Sequence, residues 1–368
     1  MQPGLLVGTV GIWADYPNPM SVRRIASIAK VSHAAVSMAL RDSPKISPEV
    51  KARIRKIARR MGYRPNAKIR ELMTQVSQSK AGRFQACFGV ISLYDTERPW
   101  EQSLHLSRMF GGMAKRAEEL GYRLDPLWLK APGMSFRRAR EILEARGIEG
   151  LLCFGSPEFG ARFPSELEGF AVVTQGLSIG VPMHRVISDG YSDTWNALDR
   201  VYMRGYRRPG LVLGLYEDQR NRHANASAYL GWCEEMMPST VRVPILRIDQ
   251  VDVDQLGAWL QGHRPDAVIF DHHYSMIEPF KAALQQLGFS VPGRLGVAVI
   301  SQVVRGMGFA GMEENQQLMG AWLVELLAGR IVNRDFGLPT QARVEMVESR
   351  WIPGDSLPSV RVRAGRLT

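Results

Sequence analysis

The residues from 32 to 41 combine small, polar and basic side chains on one face of a predicted helix. Val36, Ala39 and Leu40 fall at positions that turn inward, so the residues between them share an outward face. Serine and arginine suit phosphate oxygens, histidine reaches a base edge or a phosphate, and alanine or methionine contacts a thymine methyl group. This face therefore predicts contacts in the major groove of double-stranded DNA. The predicted contact residues in this segment are Ser32, His33, Ala34, Ser37, Met38 and Arg41.

The excess of positive charge lies at one end of the chain. Residues 1–83 contain 16 lysine and arginine residues and four acidic residues, a net charge of +12. The remaining residues contain 31 basic and 32 acidic side chains, a net charge of −1. Such asymmetry predicts a polyanionic partner for the N-terminal quarter. The alternative, a small helical bundle with a tolerant charged surface, does not explain why the excess is confined to one end.

Polar side chains follow several apolar runs that are typical of buried strands. In doubly wound α/β proteins, ligands bind at the carboxyl ends of the strands, so these side chains are candidates for contacts with a small molecule. We favour Asp271 and Arg222 among them, and ordinary loop residues are the alternative interpretation. The candidates are Ser92, Tyr94, Asp95, Gln175, Arg222, His223, Asn225, Asp271, His272 and Ser301.

The sequence offers little support for a metal or an enzymatic site. His272 and His273 are adjacent, and adjacent residues on a strand point to opposite sides, so one ion is not expected to bind both. The three cysteines are far apart and show no CxxC spacing, which argues against a disulfide framework or a zinc site. GxSxG, P-loop and HExxH motifs are absent. We therefore expect no cofactor and no catalysis. No apolar run approaches the roughly 20 residues of a membrane-spanning helix.

Three short amphipathic helices are predicted near the N-terminus. The first covers an apolar stripe that ends at Lys30, and Ser32 is placed to cap a second helix. Ser47 followed by Pro48 predicts the start of a third helix, and Gly62 predicts its end. Two helices joined by a tight turn make a helix-turn-helix unit.

The rest of the chain alternates between apolar runs and amphipathic stretches. Runs such as "FAVVTQG", "DAVIFD" and "LGVAVIS" predict buried parallel strands, whereas "FRRAREILEARG" and "EPFKAALQQLG" predict helices. This alternation is typical of doubly wound α/β layers. The predicted fold class is a small all-α helix-turn-helix headpiece followed by an α/β core of two doubly wound parallel-sheet subdomains.

The segment "VRRIASIAKVSHAAVSMALRDSPKISPEVKARIRKIARRMGYRPN" resembles the headpiece of the LacI/GalR (lactose-repressor) family of bacterial transcription regulators. The resemblance rests on the helix-turn-helix, the two Val-Ser pairs around the second helix and the "GYRPN" ending. It implies that "NAKIRELMTQ" is a hinge helix that folds on the operator and pushes Leu72 into the minor groove at a central CpG step. Asn66 and Ala67 would then lie near the phosphates of that groove. The resemblance also implies that the core is periplasmic-binding-protein-like.

The resemblance and the changes in pattern predict the domain boundaries. The residues before Met20 contain a short apolar run that no basic residue precedes, so we expect a poorly ordered extension rather than a signal peptide. Met20 is an alternative start, because organised sequence begins directly after it. The predicted domains are 1–19 (extension), 20–65 (headpiece), 66–83 (hinge helix and linker), 84–188 (core N-subdomain, completed by about 309–336), 189–308 (core C-subdomain, completed by about 339–356) and 357–368 (basic tail).

The core departs from the pattern of the family members that bind sugars. Those members carry an arginine a few residues before a Gly-Trp pair, and alignment on that pair places Ala228 there. Ser301 and Gln302 replace an aspartate after a late strand, and Gln175 replaces an acid after the third strand. These missing groups are the ones that grip vicinal hydroxyls. We therefore expect a carbohydrate-related effector between the subdomains but not a simple hexose.

The sequence as a whole predicts a cytoplasmic, homodimeric, sequence-specific DNA-binding regulator that acts as a repressor on a pseudo-palindromic operator. One alternative is a solute-binding protein for transport with the same core. That alternative predicts a signal sequence and no basic headpiece. A second alternative is an α/β enzyme with a fused helical domain, for which no set of nucleophile, base and orienting residue is visible.

Overall fold

A computed structural model describes residues 22–40, 46–61, 86–301 and 304–360. Within these ranges it leaves the side chains of residues 22–24, 33, 34 and 37 undescribed. The chain forms two compact units, residues 1–83 and residues 84–368.

The described part of the N-terminal unit consists of three helices: α1 (Val22–Ala29), α2 (His33–Leu40) and α3 (Pro48–Arg60). Serine hydroxyls cap the last two, as the sequence predicted. The Oγ of Ser32 accepts a hydrogen bond from the backbone N–H of Ala35 at 3.1 Å, and the Oγ of Ser47 accepts one from Val50 at 3.5 Å.

One apolar core joins the three helices. Ile25 of α1, Val36 and Ala39 of α2, and Ile54 of α3 are all fully buried. Helices of 8 to 13 residues are marginal in isolation, so this shared core is what stabilises them. Burying this side of α2 fixes which of its faces points outward.

The C-terminal unit contains two six-stranded sheets in its described part. The first sheet has the order β11-β5-β4-β3-β1-β2 and the second has the order β12-β10-β9-β8-β6-β7. All neighbouring strands are parallel except β10 and β12, which are antiparallel. The strands are β1 (Ala86–Ser92), β2 (Tyr122–Trp128), β3 (Gly150–Cys153), β4 (Ala171–Gln175), β5 (His184–Ser188), β6 (Pro209–Gly214), β7 (Leu246–Ile248), β8 (Ala267–Asp271), β9 (Gly296–Ser301), β10 (Ala310–Glu313), β11 (Val344–Val347) and β12 (Arg350–Ile352).

Helices cover these sheets, and apolar side chains fill the layers between them. The helices of this unit are α4 (Pro99–Gln102), α5 (Leu104–Glu119), α6 (Phe136–Ala145), α7 (Gly190–Met203), α8 (Leu215–Arg220), α9 (Ala224–Met236), α10 (Val253–His263), α11 (Ile277–Gln286) and α12 (Gln316–Asn333). A search of the described residues finds no helix with the length and apolar character needed to cross a membrane. The predicted fold class is confirmed.

The chain passes between the two sheets at three crossovers. The first leads from β5 into α7, the second from β10 into α12, and the third from β11 into β12. The first sheet with its helices forms the N-subdomain, and the second sheet with its helices forms the C-subdomain. Both subdomains therefore contain segments that are distant in the chain.

The second and third crossovers correct two predicted boundaries by a few residues, whereas α12 and β12 lie in the subdomains predicted for them. The prediction placed residues 309–336 in the N-subdomain, but β10 pairs with β9 of the second sheet. It also placed residues 339–356 in the C-subdomain, but β11 pairs with β5 of the first sheet. The cause is that strands of three or four residues carry too little pattern to specify a partner strand. Their positions depend on long-range packing.

The helix α12 returns to the N-subdomain and packs closely against α5. Two glycines permit the close approach. A Cβ atom on Gly112 would lie 2.0 Å from the carbonyl oxygen of Gln317, and one on Gly320 would lie 2.1 Å from the carbonyl oxygen of Met109. This contact holds the first turns of α12 against α5, and residues of these turns lie beside the cleft between the subdomains.

Candidate DNA-binding surface and inter-subdomain cleft

The outward face of α2 carries the predicted DNA contacts. Val36 and Ala39 are buried, whereas Ser32 is exposed and Met38 is partly exposed. The backbones of His33, Ala34 and Ser37 lie in α2, and their side chains are outside the described residues. Arg41, Asn66, Ala67 and Leu72 also lie outside them. These assignments stay predictions.

The helix α3 supplies much of the positive charge of the N-terminal unit. Its 13 residues include six lysine and arginine side chains and one acidic side chain, Glu49. Arg53, Lys56, Arg59 and Arg60 are exposed. Glu49 lies in the first turn, and Arg59 and Arg60 lie in the last turn. Both placements give favourable interactions with the helix dipole. The exposed positive charge suits phosphate groups.

A cavity of about 190 Å³ lies between the two subdomains. The N-subdomain contributes residues from α5, from the end of β4 and from the start of α12. The C-subdomain contributes residues from α8 and from the loop after β8. The polar lining residues include His105, Gln175, Asp189, Tyr216, Glu217, Arg220, His273, Glu314 and Gln316.

Of the ten predicted effector contacts, all of which are described, Gln175 alone lines this cavity. It ends β4 and is buried, and its Nε2 donates a 2.8 Å hydrogen bond to the carbonyl oxygen of Phe154. That bond fixes the amide group, so its oxygen is the atom available to a ligand.

Asp271 and Asn225 lie beneath the cavity rather than in its lining. Both are buried, and the Nδ2 of Asn225 donates a 2.6 Å hydrogen bond to Oδ2 of Asp271. Burial raises the pKa of Asp271 well above its usual range, and the neighbouring carboxylates of Glu217 and Glu314 act in the same direction. The pair therefore supports the floor of the cleft.

Other strand-end candidates lie at the edge of the cleft or outside it. Ser92 is buried, and its Oγ accepts a hydrogen bond from the backbone of Tyr94 at 3.2 Å. Burial raises the pKa of Tyr94, and the positive charge of the nearby Arg220 opposes this shift, so Tyr94 lies close to the lining. Asp95 is exposed and pairs with Lys130 at 2.7 Å.

Three further candidates have separate environments. Arg222 is exposed in a left-handed turn with φ 53°, and it is not among the lining residues. Ser301 is buried and its Oγ has no hydrogen-bond partner. His223 pairs with Asp218 at 2.9 Å.

The two adjacent histidines point to different partners. The Nδ1 of His272 accepts a hydrogen bond from the backbone N–H of His273 at 2.8 Å, so Nε2 carries the proton and donates to the carbonyl oxygen of Asp249 at 3.2 Å. The Nδ1 of His273 lies 2.8 Å from the hydroxyl of Ser275. In the described parts of the chain, no group of three or more histidine, cysteine or acidic residues is arranged to hold a metal ion.

The two histidines of the cleft are neutral at neutral pH. Burial lowers the pKa of His105 to about 4, with smaller contributions from His273 and Arg220. Burial also lowers the pKa of His273. The rings of the two histidines are nearly perpendicular, with centroids 6.2 Å apart. The charge of the cleft therefore comes from its carboxylates and from Arg220.

The interpretation of the sequence missed Glu217, Arg220, Glu314 and Gln316. Arg220 lies in α8, two residues before the predicted Arg222. Glu314 and Gln316 follow β10, whose four residues gave no strand signal in the sequence. The polar run after that strand, "EENQQ", was the available signal.

Comparisons with known proteins agree with this arrangement. Residues 21–66 match the family model "Bacterial regulatory proteins, lacI family". The chain is 21% identical over 199 residues to the HTH-type transcriptional regulator MalR of Streptococcus pneumoniae. That match covers 53% of this chain and 57% of MalR, so it spans little more than half of the relative.

Solved structures share the fold at low sequence identity. A complex of the transcriptional regulator CelR with cellobiose has a TM-score of 0.54 at 18% identity and covers 92% of this chain and 99% of its own. A lac repressor dimer bound to operator and the anti-inducer ONPF has a TM-score of 0.53 at 14% identity and covers 93% and 100%. At these identities the likeness concerns the fold.

This chain therefore shares with these structures a fold in which a core of two parallel-sheet subdomains follows an N-terminal helical domain. The match of residues 21–66 to the lacI family model agrees with the resemblance of this segment.

Proposed function

We propose that this protein is a cytoplasmic, sequence-specific DNA-binding repressor of transcription that acts as a homodimer and has no enzymatic activity. One observation carries the proposal: residues 21–66 match the lacI family model, and α2 buries Val36 and Ala39 so that its other face is outward. The net charge of +12 in residues 1–83 supports a DNA partner.

In this proposal the helix α2 enters the major groove. Ser37 and Arg41 contact phosphates, which position the helix, whereas His33, Ala34 and Met38 face base edges. Leu72 is the wedge that opens a base step in the minor groove. The bent DNA contacts more of the protein surface, and these contacts offset the cost of unstacking the bases. Two headpieces of a dimer then read the two halves of a pseudo-palindromic operator.

We further propose that a small-molecule effector binds in the cleft and changes operator affinity. The ligand shifts the arrangement of the subdomains only to the extent that it binds one arrangement more tightly. A changed arrangement alters the spacing of the two headpieces in the dimer. The cavity between α5, α8 and α12 supports this site, because both subdomains contribute to its lining.

A carbohydrate-related effector is consistent with the relatives. The CelR structure with the same fold contains cellobiose. In this chain Ala228 is buried in α9 at the position of the expected arginine, and Gln175 is hydrogen-bonded to the backbone. The bidentate groups expected for a simple hexose are therefore replaced here, so the effector differs from that class in its polar groups.

A gel-shift assay tests the DNA-binding proposal. The full-length protein is mixed with DNA from its own promoter region at two salt concentrations, with an unrelated fragment of equal length as control. We expect tighter binding to the promoter fragment, and a log–log salt slope of about −0.9 for each phosphate contact. Absence of a shift even at low salt would contradict the proposal.

A further inference from the structure

More acidic than basic side chains line the cleft. The carboxylates of Asp189, Glu217 and Glu314 line it, whereas Arg220 is the one lysine or arginine among the described lining residues. The Nη1 of Arg220 donates a 2.8 Å hydrogen bond to the hydroxyl of Tyr216, and its guanidinium lies over the ring of that tyrosine. Arg220 therefore makes both a hydrogen bond and a cation–π contact with the side chain of Tyr216.

Two acceptor atoms in this lining have no partner. Gln316 is only 2% exposed, and its Nε2 donates to Oε2 of Glu314 at 2.8 Å, which leaves its Oε1 without a hydrogen bond. The Oε2 of Glu217 is also buried and unpartnered. A buried acceptor without a donor is unfavourable. Because both residues line the cleft, a ligand that donates hydrogen bonds to these atoms would be stabilised there.

The histidine beside Glu217 does not supply that donor. The Nδ1 of His272 is 3.6 Å from Oε2 of Glu217. This nitrogen already accepts the backbone N–H of His273, so it carries no proton to donate. The Oε2 atom of Glu217 therefore receives neither a hydrogen bond nor a positive charge from this neighbour.

The acidic side chains also influence one another at the cleft floor. The pKa of Asp271 is raised first by burial and then by the charges of Glu217 and Glu314. A neutral hydroxyl group would donate hydrogen bonds to the unpartnered acceptors but would leave the negative charge uncompensated. A positively charged group relieves both, because it donates hydrogen bonds and compensates charge.

We propose that the effector of this protein carries a protonated amine, which binds between Glu217 and Gln316 on the acidic side of the cleft. This inference rests on the proposed effector-controlled function and deepens it. An amino sugar and an aliphatic polyamine are two sources of the same chemistry. The amine compensates the carboxylate of Glu217 and donates to the oxygen of Gln316.

A thermal-shift measurement with matched pairs tests this inference on the full-length protein. Glucosamine is compared with glucose, galactosamine with galactose, and cadaverine with pentanediol, each at about 10 mM and about pH 7. We expect an amine to raise the melting temperature where its hydroxyl counterpart does not. A sugar-restricted effect identifies an amino sugar, and a cadaverine effect identifies a polyamine. Equal shifts within every pair, including no shift in any pair, overturn the inference.

Substitutions connect the effect to this site. We expect Glu217→Gln to weaken the binding of the active amine at least about tenfold, because the charge is lost and the shape is kept. Glu314→Gln is a second variant of the same kind. Glu278→Gln on the exposed face of α11 is the matched control and should leave amine binding unchanged. Unchanged affinity in both cleft variants overturns the proposed position.

The same preparations separate this inference from the proposed function. Operator binding without ligand is measured by gel shift for the wild type and for each variant. Intact operator binding with a preference for a neutral ligand overturns the amine inference and keeps the regulator proposal. Failure to bind operator DNA overturns the regulator proposal, whatever the thermal shifts show.

Discussion

The hydroxyl group of Ser349 donates a 2.5 Å hydrogen bond to Oδ2 of Asp193. Ser349 lies on the third crossover, and Asp193 lies in the first turn of α7, directly after the first crossover. Burial raises the pKa of Asp193 to about 8; the bond from Ser349 opposes this shift and the charge of Glu314 adds to it. Glu314 lies on the second crossover, so the three crossovers meet around a carboxyl group that is mostly protonated at neutral pH.

The raised pKa of Asp193 predicts that the core loses stability as the pH rises from about 6.5 to 8. The pKa of Asp193 is about 8 in the folded protein, whereas the ordinary value of 3.8 applies to the unfolded chain. The folded state therefore binds more protons than the unfolded state in this pH range. The free energy of unfolding therefore falls with pH, by up to about 1.4 kcal/mol per pH unit for one such group. The histidines with lowered pKa values act in the opposite direction only below about pH 6.5.

Replacing the group tests this origin. We expect Asp193→Asn to flatten the decrease between about pH 6.5 and 8 in urea unfolding experiments, because asparagine still accepts the bond from Ser349 and has no proton to lose. Asp254→Asn, at an exposed position in the first turn of α10, is the control and should keep the wild-type slope. An unchanged slope in Asp193→Asn would show that another group is responsible.

Two adjacent glycines in α5 should respond oppositely to alanine. A Cβ atom on Gly112 would lie 2.0 Å from the backbone oxygen of Gln317, so we expect Gly112→Ala to lower the free energy of unfolding by about 2 kcal/mol or more. No atom lies within 4 Å of a Cβ on the exposed Gly111. Gly111→Ala should therefore raise stability by about 0.5–1 kcal/mol through helix propensity. Equal effects of the two substitutions would contradict the close contact between α5 and α12.

Arg41 is predicted to contact a phosphate without reading a base. We expect Arg41→Ala to weaken binding to specific and unrelated DNA alike and to reduce the log–log salt slope by about 0.9. Fluorescence anisotropy over a series of salt concentrations measures both quantities. Arg137→Ala, which removes an exposed arginine of α6 that pairs with Glu141, serves as control. A loss restricted to the specific DNA would assign Arg41 to base recognition instead.

Leu72 is predicted to act as a wedge in the minor groove. We expect Leu72→Ala to reduce operator affinity by about tenfold or more and to abolish DNA bending, because the unstacked base step loses its apolar filler. A gel-mobility assay with circularly permuted operator fragments reports the bend. Leu104→Ala at an exposed position of α5 is the matched control. Full bending by Leu72→Ala would show that this side chain does not enter the groove.

The sequence by itself determined the local structure and the distribution of charge along the chain. Ser47 followed by Pro48 predicted the start of α3, and "FAVVTQG", "DAVIFD" and "LGVAVIS" predicted β4, β8 and β9. Helix caps, helical periodicity and buried apolar runs depend on residues that are close in the chain, so they can be recognised from the sequence alone. The basic N-terminal quarter is likewise a property of composition.

The tertiary structure decided which strand joins which sheet and which polar groups face the cleft. Val344–Val347 joins β5 rather than the second sheet, because the pairing of a four-residue strand depends on the layers already packed around it. Asp271 lies under the cleft, whereas Glu217 and Gln316 line it. All three follow strand ends in the sequence. Only the packing of the two subdomains against each other determines which of them a ligand reaches.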